Sequence, residues 1–354
     1  MNHRFFFIVL LSALLFALST PLSKIFLGTF SPLFLAGFFY LSGALFLLPF
    51  SWRTLASELR YLKHNRQDRL RIIGGVVSGG IIGPIFLLYG IKLSDATSAS
   101  LLLNMETVAT AIWAHFLFNE HFSKRVLISS MLTMVAGILL VFDFNYNIHW
   151  GGVLVMLACF SWGLDNNFTA TVQGVSPTTN TIIKGVCAGI FNITLAFCFE
   201  RDLQNAPLFF YSWTLVGAMV IGALSYGASI SLYITGARFL GATRSQILFT
   251  THPFLGGLIS YLIFKDSLTI NFVLALCLML LSLFILYYEH HRHTHLHPSE
   301  EHEHEHAHDD EHHSHHHQHQ HQHDHQEKHT HKHAHSEVEH EHHHYPDLHH
   351  RHQH

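Results

Sequence analysis

Apolar residues along this chain fall in long continuous runs and rarely alternate with polar ones. Ten runs approach the roughly 20 residues that a bilayer-spanning helix needs. They are Phe5–Phe26, Pro32–Phe50, Ile72–Gly90, Thr97–Phe118, Val126–Phe142, Trp150–Thr171, Thr179–Phe199, Trp213–Gly236, Thr243–Phe264 and Ile270–Tyr288. Runs of this length predict helices, because a barrel strand would show short segments of period two. The first run continues through Pro21 and Lys24 without a small-residue cleavage site, so it reads as a retained span and not as a signal peptide.

After Glu289 the pattern stops. Residues 290–354 contain 30 His and only six hydrophobic side chains in 65 residues. Without them the hydrophobic share of residues 1–289 rises to roughly 58%, above the 45–50% of soluble domains. This excludes a soluble enzyme, a collagen-like fibre and a wholly disordered chain. Charge divides at the same place. The body holds 16 Lys and Arg against 11 Asp and Glu, and the tail 4 against 13, with His neutral. Cys159, Cys187, Cys198 and Cys277 all lie in apolar runs and read as small buried hydrophobes.

Lys and Arg in the connecting segments predict orientation. Arg4, Arg53, Arg60, Lys63, Arg66, Arg69, Arg71, Lys124, Arg125, Arg238, Arg244 and Arg292 fall on the N-terminal side, against Lys24, Lys92, Arg201 and Lys265 on the other. The bias puts the N-terminal side in the cytoplasm. Ten spans return the chain to that side, so both termini are expected to be cytoplasmic and the protein to lie in the plasma (inner) membrane.

The two halves of the body match at a shift of 145 to 146 residues. Ser31-Pro32 corresponds to Ser176-Pro177, and Ala96-Thr97 to Ala242-Thr243. Five spans per half is an odd number, so the second half enters the membrane upside down. The expected fold is an all-α integral membrane protein. Its ten transmembrane helices form two inverted five-helix repeats (residues 5–143 and 144–289), followed by a disordered His-rich tail (290–354). Inverted repeats place a transporter's substrate site near the bilayer midplane, between the repeats.

The residues that carry these features resemble a family. Ser19-Thr20-Pro21-Leu22-Ser23-Lys24, Ser31-Pro32-Leu33-Phe34-Leu35-Ala36, and the run Ala96-Thr97-Ser98-Ala99-Ser100-Leu101-Leu102-Leu103-Asn104-Met105-Glu106 ending in Leu117-Phe118-Asn119-Glu120 are similar to motifs of EamA-type proteins in the drug/metabolite transporter superfamily. In the second half the match runs through Trp162-Gly163-Leu164-Asp165-Asn166-Asn167-Phe168-Thr169 and Ile183-Lys184-Gly185. The resemblance implies a transporter of small metabolites or drug-like solutes, often an exporter. It leaves a homodimer open.

An ionisable side chain inside a span costs at least a few kcal/mol, so it faces the bundle interior and usually has a task. Glu106 lies about nine residues into its span, roughly 13 Å at ~1.5 Å per residue. His252 occupies the equivalent depth in the second half, at the repeat-related position. Asp165 and Lys184 are at matching depths on consecutive spans and are expected to pair. Asn104, Asn166 and Asn167 add hydrogen-bonding groups beside them. Lys24, near the far interface, is expected to snorkel. No G-x-x-x-x-G-K-[ST] loop, G-x-S-x-G elbow or H-E-x-x-H pair occurs, so neither ATP hydrolysis nor another enzyme activity is indicated. The basic cluster from Arg53 to Arg71 reads as a topology or anionic-lipid signal and not as a nucleic-acid site.

In the tail, His302, His304, His306 and His308 alternate with Glu301, Glu303 and Glu305, and His315-His316-His317 and His342-His343-His344 form triplets. Neutral imidazoles with carboxylates nearby suit Zn²⁺, Ni²⁺, Co²⁺ or Cu²⁺. With no core to bury, binding is expected to be loose and multi-site. The leading reading is therefore a secondary transporter of a small organic solute whose tail buffers metal or regulates. The alternatives are a divalent metal-ion transporter with a metal-collecting tail, a membrane-anchored metal buffer, and a tail that senses cytoplasmic pH. None requires a cofactor.

Overall fold

In the computed structural model the described residues are 3–118, 123–142, 148–200, 213–240, 245, 248–287 and four strands of the tail. The body and the tail are two separate units, His290–Tyr345 forming the second.

Over the described residues the apolar runs of the body are built of helix, for a physical reason. Hydrocarbon offers no hydrogen-bond partners, so each span must close its backbone bonds on itself. The first repeat consists of α1 (His3–Ala17) with α2 (Ser19–Phe26), α3 (Pro32–His64), α4 (Arg66–Gly75) with α5 (Gly83–Leu93), α6 (Ala96–Leu102) with α7 (Met105–Phe118), and α8 (Lys124–Val141). The second consists of α9 (Trp150–Thr171), α10 (Pro177–Phe199), α11 (Trp213–Ile221) with α12 (Ser229–Leu240), α13 (His252–Phe264) and α14 (Ile270–Tyr287). Prolines start α3 and α10 at the first helical position, where a missing N–H costs nothing. Ser176 and Asp95 cap α10 and α6 through their side chains.

Six of these stretches are long and apolar enough to cross a membrane by length and composition. The other four have identifiable reasons to fall short. The α6–α7 and α13 spans are interrupted by turns, α9 carries Asp165, Asn166 and Asn167, and the apolar stretch described within α14, Ile270–Ile285, is shorter than α8, the shortest of the six.

The repeat seen in the sequence is present in the backbone. Between α4 and α5 lies a π-helical segment, Val76–Ile82, and between α11 and α12 a second, Gly222–Ala228, exactly one repeat length (222 − 76 = 146) later. Turns at Leu103-Asn104 and Thr250-Thr251 break the fourth span of each repeat at matching places.

The repeats interlock. α3 packs along α10 and α8 along α14, each pair being related by the repeat, and α6 packs along α13 within the two fourth spans. The first helices cross over: α1 packs on α12 and α13, and α9 on α5 and α7. Small residues permit the close approach. A Cβ on Gly43 would lie 2.8 Å from the Gly227 nitrogen, and one on Gly227 2.8 Å from the Gly43 oxygen. Hydroxyl pairs tie the same seams, as Ser129 and Thr133 with Ser282 at 2.7 Å each, and Ser12 with Ser229 at 3.2 Å. The exterior is apolar. The aromatic residues Phe116, Trp150, Phe199 and Trp213 stand exposed near helix ends, and Phe50 and Trp52 stand exposed where the apolar part of α3 gives way to its basic stretch, the places where interfacial belts form.

One expectation changes. The basic stretch after Phe50 is helix: α3 runs 33 residues, roughly 50 Å at ~1.5 Å per residue, well beyond the ~30 Å hydrocarbon. Its extension is anchored. Glu58 accepts from the Ser176 backbone N–H and hydroxyl at 2.9 and 2.8 Å, capping α10 from outside. On the opposite side Glu200 accepts from Leu33 N–H at 3.1 Å, capping α3 in the same way.

The tail backbone forms two antiparallel ladders, β1 (His291–His297) with β4 (Val338–His344) and β2 (Glu301–His306) with β3 (His329–Ala334). A two-stranded ladder standing alone is marginal in water, and these strands bring no hydrophobic core, as the composition requires.

Placing a side chain between α3 and the second π segment tests the interlock. Gly43→Leu should cost about 1–3 kcal/mol, as overpacked sites do, read as a lower thermal midpoint of the detergent-purified protein. Phe50→Leu, on the exposed face, should leave the midpoint unchanged. Equal midpoints for both variants would contradict the close approach.

Candidate functional site

Glu106 stands in the first turn of α7, just past the break from α6, and is 8% exposed. Across the break the chain tightens into i to i−3 hydrogen bonds, Leu103 to Ser100, Asn104 to Leu101 and Glu106 to Leu103. That turn aims Glu106 at α9. There Asn166 donates from Nδ2 to Glu106 Oε1 at 2.8 Å and to Thr110 Oγ1 at 3.2 Å, while Thr110 donates to the Glu106 carbonyl at 2.8 Å. Asn167, one residue on, donates to the carbonyls of Thr110 and Gly163 and so fixes α9 against α7.

Asp165 and Lys184 pair as expected. The ammonium contacts both carboxylate oxygens at 2.6 Å, and Thr169 donates to Oδ1 at 3.1 Å. Room for this pair comes from the first π segment and the residue before it. A Cβ at Gly75 would lie 2.7 Å from Asp165 Oδ1, and one at Gly79 only 1.9 Å from Oδ2. The π segment also exposes carbonyls to neighbouring helices. Gly79 O accepts from Tyr40 OH at 2.6 Å and Trp162 Nε1 at 2.9 Å, and Gly80 O from Asn192 at 3.1 Å. Gly75 and Gly79 are thus the seat of a buried ion pair.

His252 begins α13 beyond the matching break and is 3% exposed. It packs against rings: Phe16 with centroids 4.8 Å apart and Phe249 at 4.7 Å. Phe16 also meets Phe249, Tyr226 and Trp162, and Tyr233 meets Phe249 at 4.6 Å. Glu106 and His252 share a depth and a place in the repeat, yet no hydrogen bond joins them among the described residues. Thr107 and Thr250 make the contact between the two breaks, with hydroxyls 3.5 Å apart. Asn104 bonds to the Leu101 carbonyl at 2.9 Å and to Met279 sulfur at 3.6 Å, which makes it a brace for the turn.

The aromatic wall of Phe16, Tyr40, Trp162, Tyr226, Tyr233 and Phe249 was not singled out in the sequence. With 30 Phe and 11 Tyr in the chain, no ring stands out from its neighbours. Lys24 differs from expectation. It does not snorkel but donates to the carbonyls of Ile91, Lys92 and Ser94 at 2.8, 3.3 and 2.6 Å, closing the end of α5. Asp266 accepts from Thr97 at 2.6 Å, tying the repeat-related spans at that side.

His302, His304 and His306 fall in β2, opposite His333, His331 and His329 in the backbone register, and His342, His343 and His344 fall in β4. Their side chains, and His308, His315, His316 and His317 entirely, lie outside the described residues, as do Asn119 and Glu120. Among the described residues no group of three His, Cys, Asp or Glu is placed to hold a metal ion.

A model of the EamA-like transporter family matches this chain twice, over residues 4–142 and 149–288. An "Uncharacterized transporter" from Methanothermobacter thermautotrophicus is 23% identical over 288 residues, covering 74% of this chain and 80% of that one. A solved crystal structure is similar over 80% of this chain and 95% of its own, with a TM-score of 0.55 at 14% identity, which shows a shared fold.

The ion pair is tested by comparing single and double substitutions. Asp165→Asn alone leaves a buried ammonium uncompensated and should cost about 3–5 kcal/mol, seen as reduced membrane abundance and a lower thermal midpoint. Adding Lys184→Met should restore much of that loss. A double variant as unstable as the sum of both singles would show that each group has other partners.

Proposed function

The chain belongs to the EamA-like transporter family, and from that membership we propose that it is a secondary transporter exporting a small organic solute, with Glu106 and His252 at its substrate or coupling site. The carrying observation is the pair of interrupted spans. Each repeat breaks its fourth span at the same place, Leu103-Asn104 and Thr250-Thr251, and sets an ionisable residue in the next turn. Interrupted helices at corresponding positions of inverted repeats mark the binding site in many secondary transporters, because the break supplies polar groups at the midplane. The π segments, one per repeat, give the third spans places to flex.

The solute reading draws more support than passage of a divalent metal. Both oxygens of Asp165 are occupied by Lys184, and the described neighbours of His252 are rings, so the carboxylates and imidazole of the bundle do not converge on one point. The energy source is a proton gradient or the solute's own gradient. We place the protein in the plasma membrane with both termini cytoplasmic, on the Lys and Arg bias of its connecting segments. The tail then lies in the cytoplasm and binds Zn²⁺, Ni²⁺, Co²⁺ or Cu²⁺ through its imidazoles as a buffer or regulator. The chain acts as a transporter and not as an enzyme.

Two measurements follow. Glu106→Gln keeps the size and the Asn166 hydrogen bond but removes the charge. It should lower transport in vesicles by about 10- to 100-fold, matching the ~1.5–3 kcal/mol of a charged hydrogen bond, at normal membrane abundance; full activity would return Glu106 to a structural role. Deleting residues 293–354 should abolish Zn²⁺ binding by calorimetry at neutral pH while solute transport persists. Unchanged Zn²⁺ binding by the truncated protein, or transport lost in metal-free buffer, would refute this account of the tail.

A further inference from the structure

Of the two buried carboxyl groups at the centre of the bundle, Glu106 is the one that forms no ion pair among the described residues. Asp165 is matched by Lys184. Glu106 receives an amide from Asn166. A carboxylate at this depth, with only a neutral donor, is completed electrostatically by a cation or a proton.

The surroundings favour a particular kind of cation. Tyr40 and Trp162 meet at the Gly79 carbonyl, and Trp162 lies one helical turn along α9 from Asn166, the residue bonded to Glu106. A chain of rings runs from Tyr233 through Phe249 and His252 to Phe16, and from Phe16 to Trp162 and Tyr226, with successive ring centroids 4.6 to 6.2 Å apart. Aromatic faces are negative and attract ammonium groups, most strongly where water is excluded, and the same faces bury apolar substituents. A small hydrated metal ion would gain little from such walls.

A second region carries the same sign. On the side opposite the α3 extension, a cavity of about 400 Å³ opens between the ends of α5, α8 and α13. Asp95, Asp266 and His149 line it among apolar residues that include Leu102, and no Lys or Arg among the described residues does. Lys24 is within reach of both aspartates electrostatically, but its ammonium is held by three backbone carbonyls.

We infer that the transported solute is an organic cation with an aromatic or bulky apolar body, held by Glu106 and the ring wall and passing the acidic cavity. This rests on the transporter reading of the same centre.

The full-length protein, purified and reconstituted in vesicles, separates the two claims. The probes are benzyltrimethylammonium, neutral 2-phenylethanol and anionic phenylacetate, with amino acids, sugars and nucleosides as a wider panel. Labelled benzyltrimethylammonium should bind in equilibrium dialysis and should be transported. Its affinity should fall at least tenfold in Glu106→Gln and be largely kept in Glu106→Asp, which also guards against a misfolded variant. Phenylacetate and 2-phenylethanol should not compete. Equal binding in the wild type and Glu106→Gln overturns the inference, as does competition by phenylacetate. If a neutral or anionic solute is transported and no cation is, the inference fails and the transporter reading stands. If nothing in the panel moves, both fall.

Discussion

Hydrocarbon cannot hydrogen-bond, and most of this structure follows from that constraint. Any backbone or side-chain polar group placed inside the bilayer must find its partner inside the protein. The ordinary solution is an unbroken helix. Where this chain departs from it, partners are present: the first π segment hands its carbonyls to Tyr40, Trp162 and Asn192, and the tightened turn before Glu106 makes i to i−3 bonds and takes the Asn104 amide. Irregular backbone at mid-span is expensive, and the residues that stabilise it are contributed by several other helices. The irregular places are therefore also where the bundle's polar groups concentrate.

Much of this was readable from the chain, and the limits are physical. Ten spans and an inverted duplication follow from apolar run length and from the odd number of runs per half. Glu106, His252 and the Asp165–Lys184 pair were accessible because ionisable residues are scarce in apolar surroundings and their depth can be counted. The first helix break was not, since Leu103-Asn104 contains no Gly or Pro to mark a turn, whereas Pro253 follows the second. The π segments were invisible for another reason: their glycines, Gly79 and Gly80 in the first and Gly222 and Gly227 in the second, also suit close-packed α-helix, and the π character depends on what packs against Gly79. The ring wall depends on which face each aromatic presents, and period alone cannot supply that in a helix that is apolar all round. The helical extension after Phe50 was read as loop because basic residues signal the membrane edge, yet Leu, Ala, Glu and Arg are also good helix formers.

The two repeats are alike in backbone and unlike in chemistry. The first π segment adjoins an ion pair and donors from three helices. The second carries Tyr226, whose ring stacks on Phe39 and whose hydroxyl has no hydrogen-bond partner among the described residues. Likewise an acid follows one break and an imidazole the other. A duplicated scaffold thus supplies matched places to bend, while the polar load sits mainly against α9.

The crossing of first helices also bears on how the protein is made. Ser12 on α1 bonds to Ser229, 217 residues later in the chain. At a synthesis rate of about 5–20 residues per second, α1 waits on the order of 10–40 seconds before α12 and α13 emerge. During that interval its interior face meets lipid or the insertion machinery, because its final neighbours do not yet exist. The first half therefore cannot mature as an independent unit on the ribosome, and the bundle closes only after most of the second half has been threaded into the membrane.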